Sequence, residues 1–129
     1  MKDTSMRTPL GRVRGLGAAH SGTHHFWHQR ITAVAGVPLI VAAIVIAIAL
    51  LGRSHAAVVQ ILGSPLVAII MLLFTVTIVY HMWIGMQEII IDYVHDDKLK
   101  LATLLANMFY CFAIAFACGF AILKLSFGV

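Results

Sequence analysis

Charge is what this chain has least of. Lys and Arg number 9 and Asp and Glu 5 among 129 residues, 11% together, where an average soluble domain carries roughly a quarter. A surface so poor in ionised groups excludes an ordinary water-soluble domain. Cysteine is also scarce. Cys111 and Cys118 stand seven residues apart in one apolar stretch, about 10 Å along a helix axis, beyond the reach of a disulfide. They read as small packing residues, and a disulfide scaffold is excluded. The first 30 residues lack an apolar core followed by a small-residue cleavage site, so a removable secretory signal is not expected. The first apolar segment then serves as its own insertion signal.

What is abundant is hydrocarbon. Hydrophobic residues make up 61% of the chain and the mean hydropathy is +0.98. A membrane-spanning helix needs about 20 mostly apolar residues to cross a core of roughly 30 Å, and three stretches qualify. Ile31 to Leu51 carries no charge. The second begins near Pro65, stays apolar to Tyr80, and continues through His81 to Ile91, interrupted by Gln87 and Glu88. The third runs from Leu101 to Leu123 and holds Thr103 and Asn107. The fold class is therefore an all-α membrane protein of three transmembrane helices, joined by short connections that make them antiparallel neighbours. Pro38, with Gly36 before it, is expected to bend the first helix.

Lys and Arg accumulate on cytoplasmic flanks. Lys2, Arg7, Arg12, Arg14 and Arg30 precede the first span, Lys98 and Lys100 lie between the second and third, and only Arg53 and Lys124 fall on the other side. This predicts a cytoplasmic N-terminus and a periplasmic C-terminus in a bacterial inner membrane, or the matrix equivalent in a mitochondrion. Residues 1–30 form a cytoplasmic segment and residues 31–129 a three-helix transmembrane domain. The net charge of +4 is a topology signal, with no nucleic-acid partner implied.

An ionisable side chain within a span is costly and normally faces a bundle interior or a cavity. On a helix, His81, Gly85, Glu88 and Asp92 stand at about 0°, 40°, −20° and 20°, one narrow stripe, and His81 lies about 16 Å deeper than Asp92. A neutral imidazole at that depth can ligate a metal or haem iron, relay a proton, or hydrogen-bond a neighbouring helix. Gly85 either leaves room for a porphyrin or allows close helix packing. A six-coordinate haem needs two axial ligands, and the three stretches contain one histidine. The site is then half a site, completed by a second copy or by another membrane subunit. Asp92 and Tyr93, at the cytoplasmic end, suit a quinone headgroup, the phenol donating to a carbonyl oxygen and the carboxylate joining a proton route. Tyr is enriched at membrane interfaces in any case.

Before the first span, His20, His24, His25, Phe26, Trp27, His28, Gln29 and Arg30 crowd together. No cysteine and no further carboxylate accompany these histidines, so the segment reads as a surface for a cytoplasmic partner and not as a structural metal site. Arg30 either snorkels to the interface or neutralises a haem propionate.

Two stretches, HMWIGMQEIIIDYVHD from His81 to Asp96 and SGTHHFWHQRITAVA from Ser21 to Ala35, resemble the smaller hydrophobic membrane-anchor subunits of succinate dehydrogenase, respiratory complex II, above all those of alphaproteobacterial and mitochondrial type. With the three-helix layout, the resemblance covers nearly the whole chain. It implies a complex in which a flavoprotein subunit and an iron-sulfur subunit oxidise succinate. A larger cytochrome b anchor and this chain would share haem b and reduce ubiquinone, within membrane lipid. By the same resemblance His81 matches the axial haem ligand, Tyr93 the quinone hydrogen-bond donor, Asp92 the acidic residue beside the quinone, and Arg30 a position near the propionates. Glu88 matches no family role. The chain would perform no chemistry alone. Competing readings are the anchor of a fumarate reductase, a haem-free membrane protein with a proton path through His81, Glu88 and Asp92, and a homodimeric cytochrome b.

Overall fold

The computed structural model describes residues 8–14 and 22–128. His20 and Ser21 lie outside the described residues, as do Lys2 and Arg7. The elements are α1 (Pro9–Val13), α2 (Gly22–Leu50), α3 (His55–Leu62), α4 (Pro65–Tyr93) and α5 (Asp97–Phe127), with no strand among the described residues. Three helices are long and apolar enough to cross a membrane, over His24–Leu50, Pro65–Tyr93 and Asp97–Phe127.

Each of these helices is longer than its apolar run. The apolar stretch of the first begins at Ile31, yet α2 starts at Gly22. No proline or glycine interrupts residues 23–30, so a helix already nucleated in lipid propagates outward for one bond per residue fixed. At 29 residues, α2 spans roughly 44 Å at 1.5 Å per residue, enough to carry its first turns into the interface. The helix runs unbroken through Pro38. Likewise α4 continues to Tyr93, so Asp92 and Tyr93 belong to its last turn and not to a loop.

The connections are short and capped. Ser54 opens α3, its Oγ accepting from the Ala57 N–H at 3.4 Å. Pro65 stands at the start of α4, where a missing N–H costs nothing. Asp96 caps α5, its Oδ1 accepting from the Leu99 N–H at 2.8 Å. The short helix α3 was not anticipated within the connection from Gly52 to Ser64. It packs against both α4 and α5. Gly63 closes it where a Cβ would come within 2.8 Å of the Leu125 carbonyl oxygen and 2.9 Å of that of Val59, a gap only glycine fills without displacement.

The helix α4 packs on α2 with one flank and on α5 with another. Buried side chains concentrate on it and on α5: Ala68, Ile84 and Ile90 on α4, Asn107 and Cys111 on α5. Asn107, only 8% exposed, donates from Nδ2 to the Trp83 carbonyl oxygen at 3.1 Å and accepts from Cys111 Sγ at 3.5 Å. That ties α5 to α4 and satisfies an amide that would be costly in hydrocarbon. Elsewhere large apolar side chains face outward, among them Val34, Ile44 and Ile48 on α2 and Phe109, Phe112, Phe116 and Phe120 on α5. In water such a surface would drive aggregation; in a bilayer it is the solvent-compatible face.

Candidate functional site

The polar residues of α4 meet α2 along one seam. Running inward from the N-terminal end of α2, His25 Nδ1 lies 3.8 Å from Glu88 Oε1. One turn on, the Gln29 amide abuts Gly85, where a Cβ would stand 3.4 Å from Gln29 Nε2. Three residues further, Thr32 Oγ1 lies 2.9 Å from His81 Nδ1. The positions 25, 29 and 32 on one helix and 88, 85 and 81 on the other advance by three or four residues. That is the spacing by which two antiparallel helices keep the same faces in contact. Beside this seam His28 Nδ1 hydrogen-bonds the Tyr80 hydroxyl at 2.5 Å, and the Tyr80 ring tilts against Trp83.

The stripe predicted on α4 is thus real, but three of its members turn to a helix of the same chain. Glu88, without a role in the sequence, pairs with His25. The two side chains remain 52% and 45% exposed, so solvent or headgroups screen the pair and it adds little to stability. At Gly85 a Cβ would make ordinary contact with the Gln29 amide, so that amide, and no open space, faces this glycine. Room opens one turn deeper on α2. Gly36 is buried, yet a Cβ there would meet no atom within 4 Å.

His81 is half-buried and held through one ring nitrogen. Thr32 also bonds back along its own helix, its hydroxyl donating to the His28 carbonyl oxygen at 2.7 Å and lying 3.1 Å from that of Gln29. Two buried polar atoms have no partner, Gln29 Oε1 at the seam and Trp83 Nε1 on the flank of α4 towards α5.

Other sequence-predicted residues are not gathered here. Arg30 is exposed, and its guanidinium stacks 4.0 Å over the Phe26 ring. Two residues before Thr32, it stands about 160° round α2 from the seam. Asp92 and Tyr93 are exposed on the last turn of α4, Tyr93 by 78%. Of the N-terminal histidines, His24 meets the His28 ring edge-on at 6.5 Å while His25 and His28 face α4. No group of three His, Cys, Asp or Glu side chains suited to a metal ion occurs among the described residues.

Sequence reasoning missed Thr32 and Tyr80, and it read Gln29 as part of a surface for another subunit with no partner on the second span. The signal on α2 was present only as spacing: His25, Gln29 and Thr32 repeat at helical intervals across Arg30, the boundary drawn between the cytoplasmic segment and the first span. A separate apolar groove of about 340 Å³ lies between α4 and α5, lined by Val76, Tyr80, Trp83, Met108, Cys111 and Phe112 among others. On α4 those positions stand about 100–160° from His81, so the groove belongs to the opposite flank.

Comparison with known proteins places the chain. Residues 4–115 match the family model described as succinate dehydrogenase/fumarate reductase transmembrane subunit. A protein of Paracoccus denitrificans named succinate dehydrogenase hydrophobic membrane anchor subunit is 28% identical over 121 residues, covering 94% of this chain and 93% of the relative. One of the same name from Rickettsia bellii (strain RML369-C) is 30% identical over 100 residues, covering 78% of this chain and 80% of the relative. No solved structure matches at a significant level. With nearly its whole length matched and its three long apolar helices in place, the chain belongs to the family of succinate dehydrogenase and fumarate reductase transmembrane subunits.

Proposed function

We propose that this chain, as a succinate dehydrogenase membrane anchor, supplies one axial ligand to a b-type haem shared with a larger cytochrome b anchor, and part of a ubiquinone site. The observation that carries the reading is His81, a half-buried imidazole deep in α4 whose Nδ1 is held at 2.9 Å by Thr32. Buried and oriented imidazoles of this kind are suited to metal ligation. The residues present fit the group: one ring nitrogen is engaged and the other is turned away from Thr32, and Gly36 leaves unfilled space on the adjoining face of α2. When bound, haem supplies a one-electron reservoir between the two anchors.

This chain's own residues then act in four ways. His81 would hold the iron of that group through its second ring nitrogen, the partner anchor supplying the other ligand. Arg30 stands on a face of α2 open to another subunit and offers a guanidinium to a carboxylate presented there. At the cytoplasmic end of α4, the Tyr93 phenol donates a hydrogen bond to a quinone carbonyl oxygen. The Asp92 carboxylate passes protons from the cytoplasmic side, as reduction of a quinone to a quinol requires two protons with two electrons. Residues 1–30, including the first turns of α2, together with the turn between α4 and α5, dock the iron-sulfur subunit, which the flavoprotein subunit supplies with electrons from succinate. The N-terminus is cytoplasmic, the C-terminus periplasmic, and the membrane the bacterial inner membrane.

The test is a reduced-minus-oxidised absorption spectrum of the complex purified in mild detergent, wild type beside His81→Ala. The expected result is a b-type signal in the wild type that the variant loses. A wild-type complex without haem, or an unaltered signal in His81→Ala, sinks the ligand assignment.

A further inference from the structure

We propose that Thr32 is the positioning residue that sets which nitrogen of His81 is free to bind a metal, an inference that rests on the haem reading above. The argument is one of proton counting. The Thr32 hydroxyl has a single proton and two lone pairs. Its oxygen lies 2.7 Å from the His28 carbonyl oxygen, 3.1 Å from the Gln29 carbonyl oxygen and 2.9 Å from His81 Nδ1. Carbonyl oxygens only accept. If the hydroxyl gave its proton to His81, two oxygens would face each other at 2.7 Å with no hydrogen between them, and lone-pair repulsion would separate them. The proton therefore goes to the carbonyl oxygens of the preceding turn, the usual bond of a helical threonine. What Thr32 turns towards His81 is a lone pair, so Nδ1 carries the hydrogen. A neutral imidazole has only one N–H, and Nε2 is left with its lone pair exposed.

The chain of bonds runs from the His81 ring to Thr32 and on to the backbone of α2. Each donation polarises the next, so the threonine oxygen is a better acceptor for having donated to His28. An acceptor on Nδ1–H enriches the opposite nitrogen in electron density and fixes the plane of the ring, as outer partners of metal-bound histidines do. No residue of α4 takes this part, because the partner stands on another helix. The rotation of His81 is thus coupled to the register between α2 and α4, and a slip of one residue on either helix would lose it.

Thr32→Val removes the hydroxyl at nearly constant volume, and Thr32→Ser keeps it. In the purified complex, Thr32→Val is expected to retain a b-type spectrum but with the haem midpoint potential shifted upward, because a less electron-rich ligand stabilises the oxidised iron less. Haem retention should weaken roughly tenfold, the lower end of the range for lost outer partners. Thr32→Ser should return both to wild type. An unshifted potential with full haem retention in Thr32→Val overturns the proposal while leaving His81 as ligand; a wild-type complex without haem overturns the reading beneath it instead. Should Thr32→Val fail to assemble, nitrogen-15 NMR of the reduced wild-type complex decides, with histidine labelled. An Nδ1–H of His81 shifted downfield by a bond to Thr32 Oγ1 supports the assignment, and an Nδ1–H without that bond, or a bare Nδ1, refutes it.

Discussion

Tyr93 closes α4 with its side chain 78% exposed, and an exposed phenol contributes little to holding this chain together. Its removal therefore tests function with small structural cost. Tyr93→Phe deletes one hydrogen bond to a quinone carbonyl, about 0.5–1.5 kcal/mol, or roughly a two- to tenfold loss of ubiquinone reduction. Succinate oxidation measured with a water-soluble dye, which draws electrons before the membrane, should be unchanged. Equal losses in both assays would place Tyr93 in assembly and not at the quinone. Glu88 gives the opposite expectation. Its partner His25 leaves both side chains about half exposed, and such pairs contribute 0–1 kcal/mol at most sites. Glu88→Gln should leave the yield and thermal midpoint of the complex near wild type, and a collapse in yield would mean that the carboxylate is buried by another subunit. Of these residues, the stripe of His81, Gly85, Glu88 and Asp92 was legible from the 100° step alone. What met the stripe was not, since Thr32, Gln29 and His25 are brought opposite it only by the packing of α2 on α4.

At the scale of elements, helices were easy to read and their ends were hard. Hydropathy marks where the lipid is, whereas a helix ends where a cap or breaker stops it. That is why α2 begins at Gly22, ahead of the apolar run, and why the Asp96 cap leaves so short a turn before α5. The helix α3 escaped notice because eight residues, HAAVVQIL, are too few to span and too apolar to look like a turn. Its place is set by contact with α4 and α5, and at Gly63 the approach of α5 leaves no room for a Cβ. Gly63→Ala puts a Cβ 2.8 Å from the Leu125 carbonyl oxygen, against backbone that has no rotamer to give way. Overpacking of this kind costs about 1–3 kcal/mol, so the variant should lower the thermal midpoint of the detergent-solubilised complex. It should leave the haem spectrum intact, since α3 lies at the far end of the bundle from Asp92. A midpoint equal to wild type would show that α3 moves off α5 freely.

The whole molecule has two unlike ends. The start of α2, the end of α4 and the start of α5 come together, bringing His24, His25, His28, Arg30, Glu88, Asp92, Asp97, Lys98 and Lys100 to one side. The other end, where α2 turns through α3 into α4 and α5 stops, carries Arg53, His55 and Lys124. A hydrophilic enzyme needs a wet, charged platform, and among the described residues the first end offers the larger one. The Lys and Arg bias assigns that same end to the cytoplasm, where succinate is oxidised in the proposed complex. Both arguments concern orientation and share the cations Arg30, Lys98 and Lys100, but the first rests as well on His24, His25, His28, Glu88, Asp92 and Asp97, which the second does not count. Alkaline phosphatase, active only after export, is the reporter that checks them. Fused after Gly128 it should be active, and fused after Asp96 it should be inactive. The reverse pattern would set Asp92 and Tyr93 on the periplasmic face. A quinone reduced there would draw its protons from outside the cell, and the iron-sulfur subunit would have no platform on the cytoplasmic side.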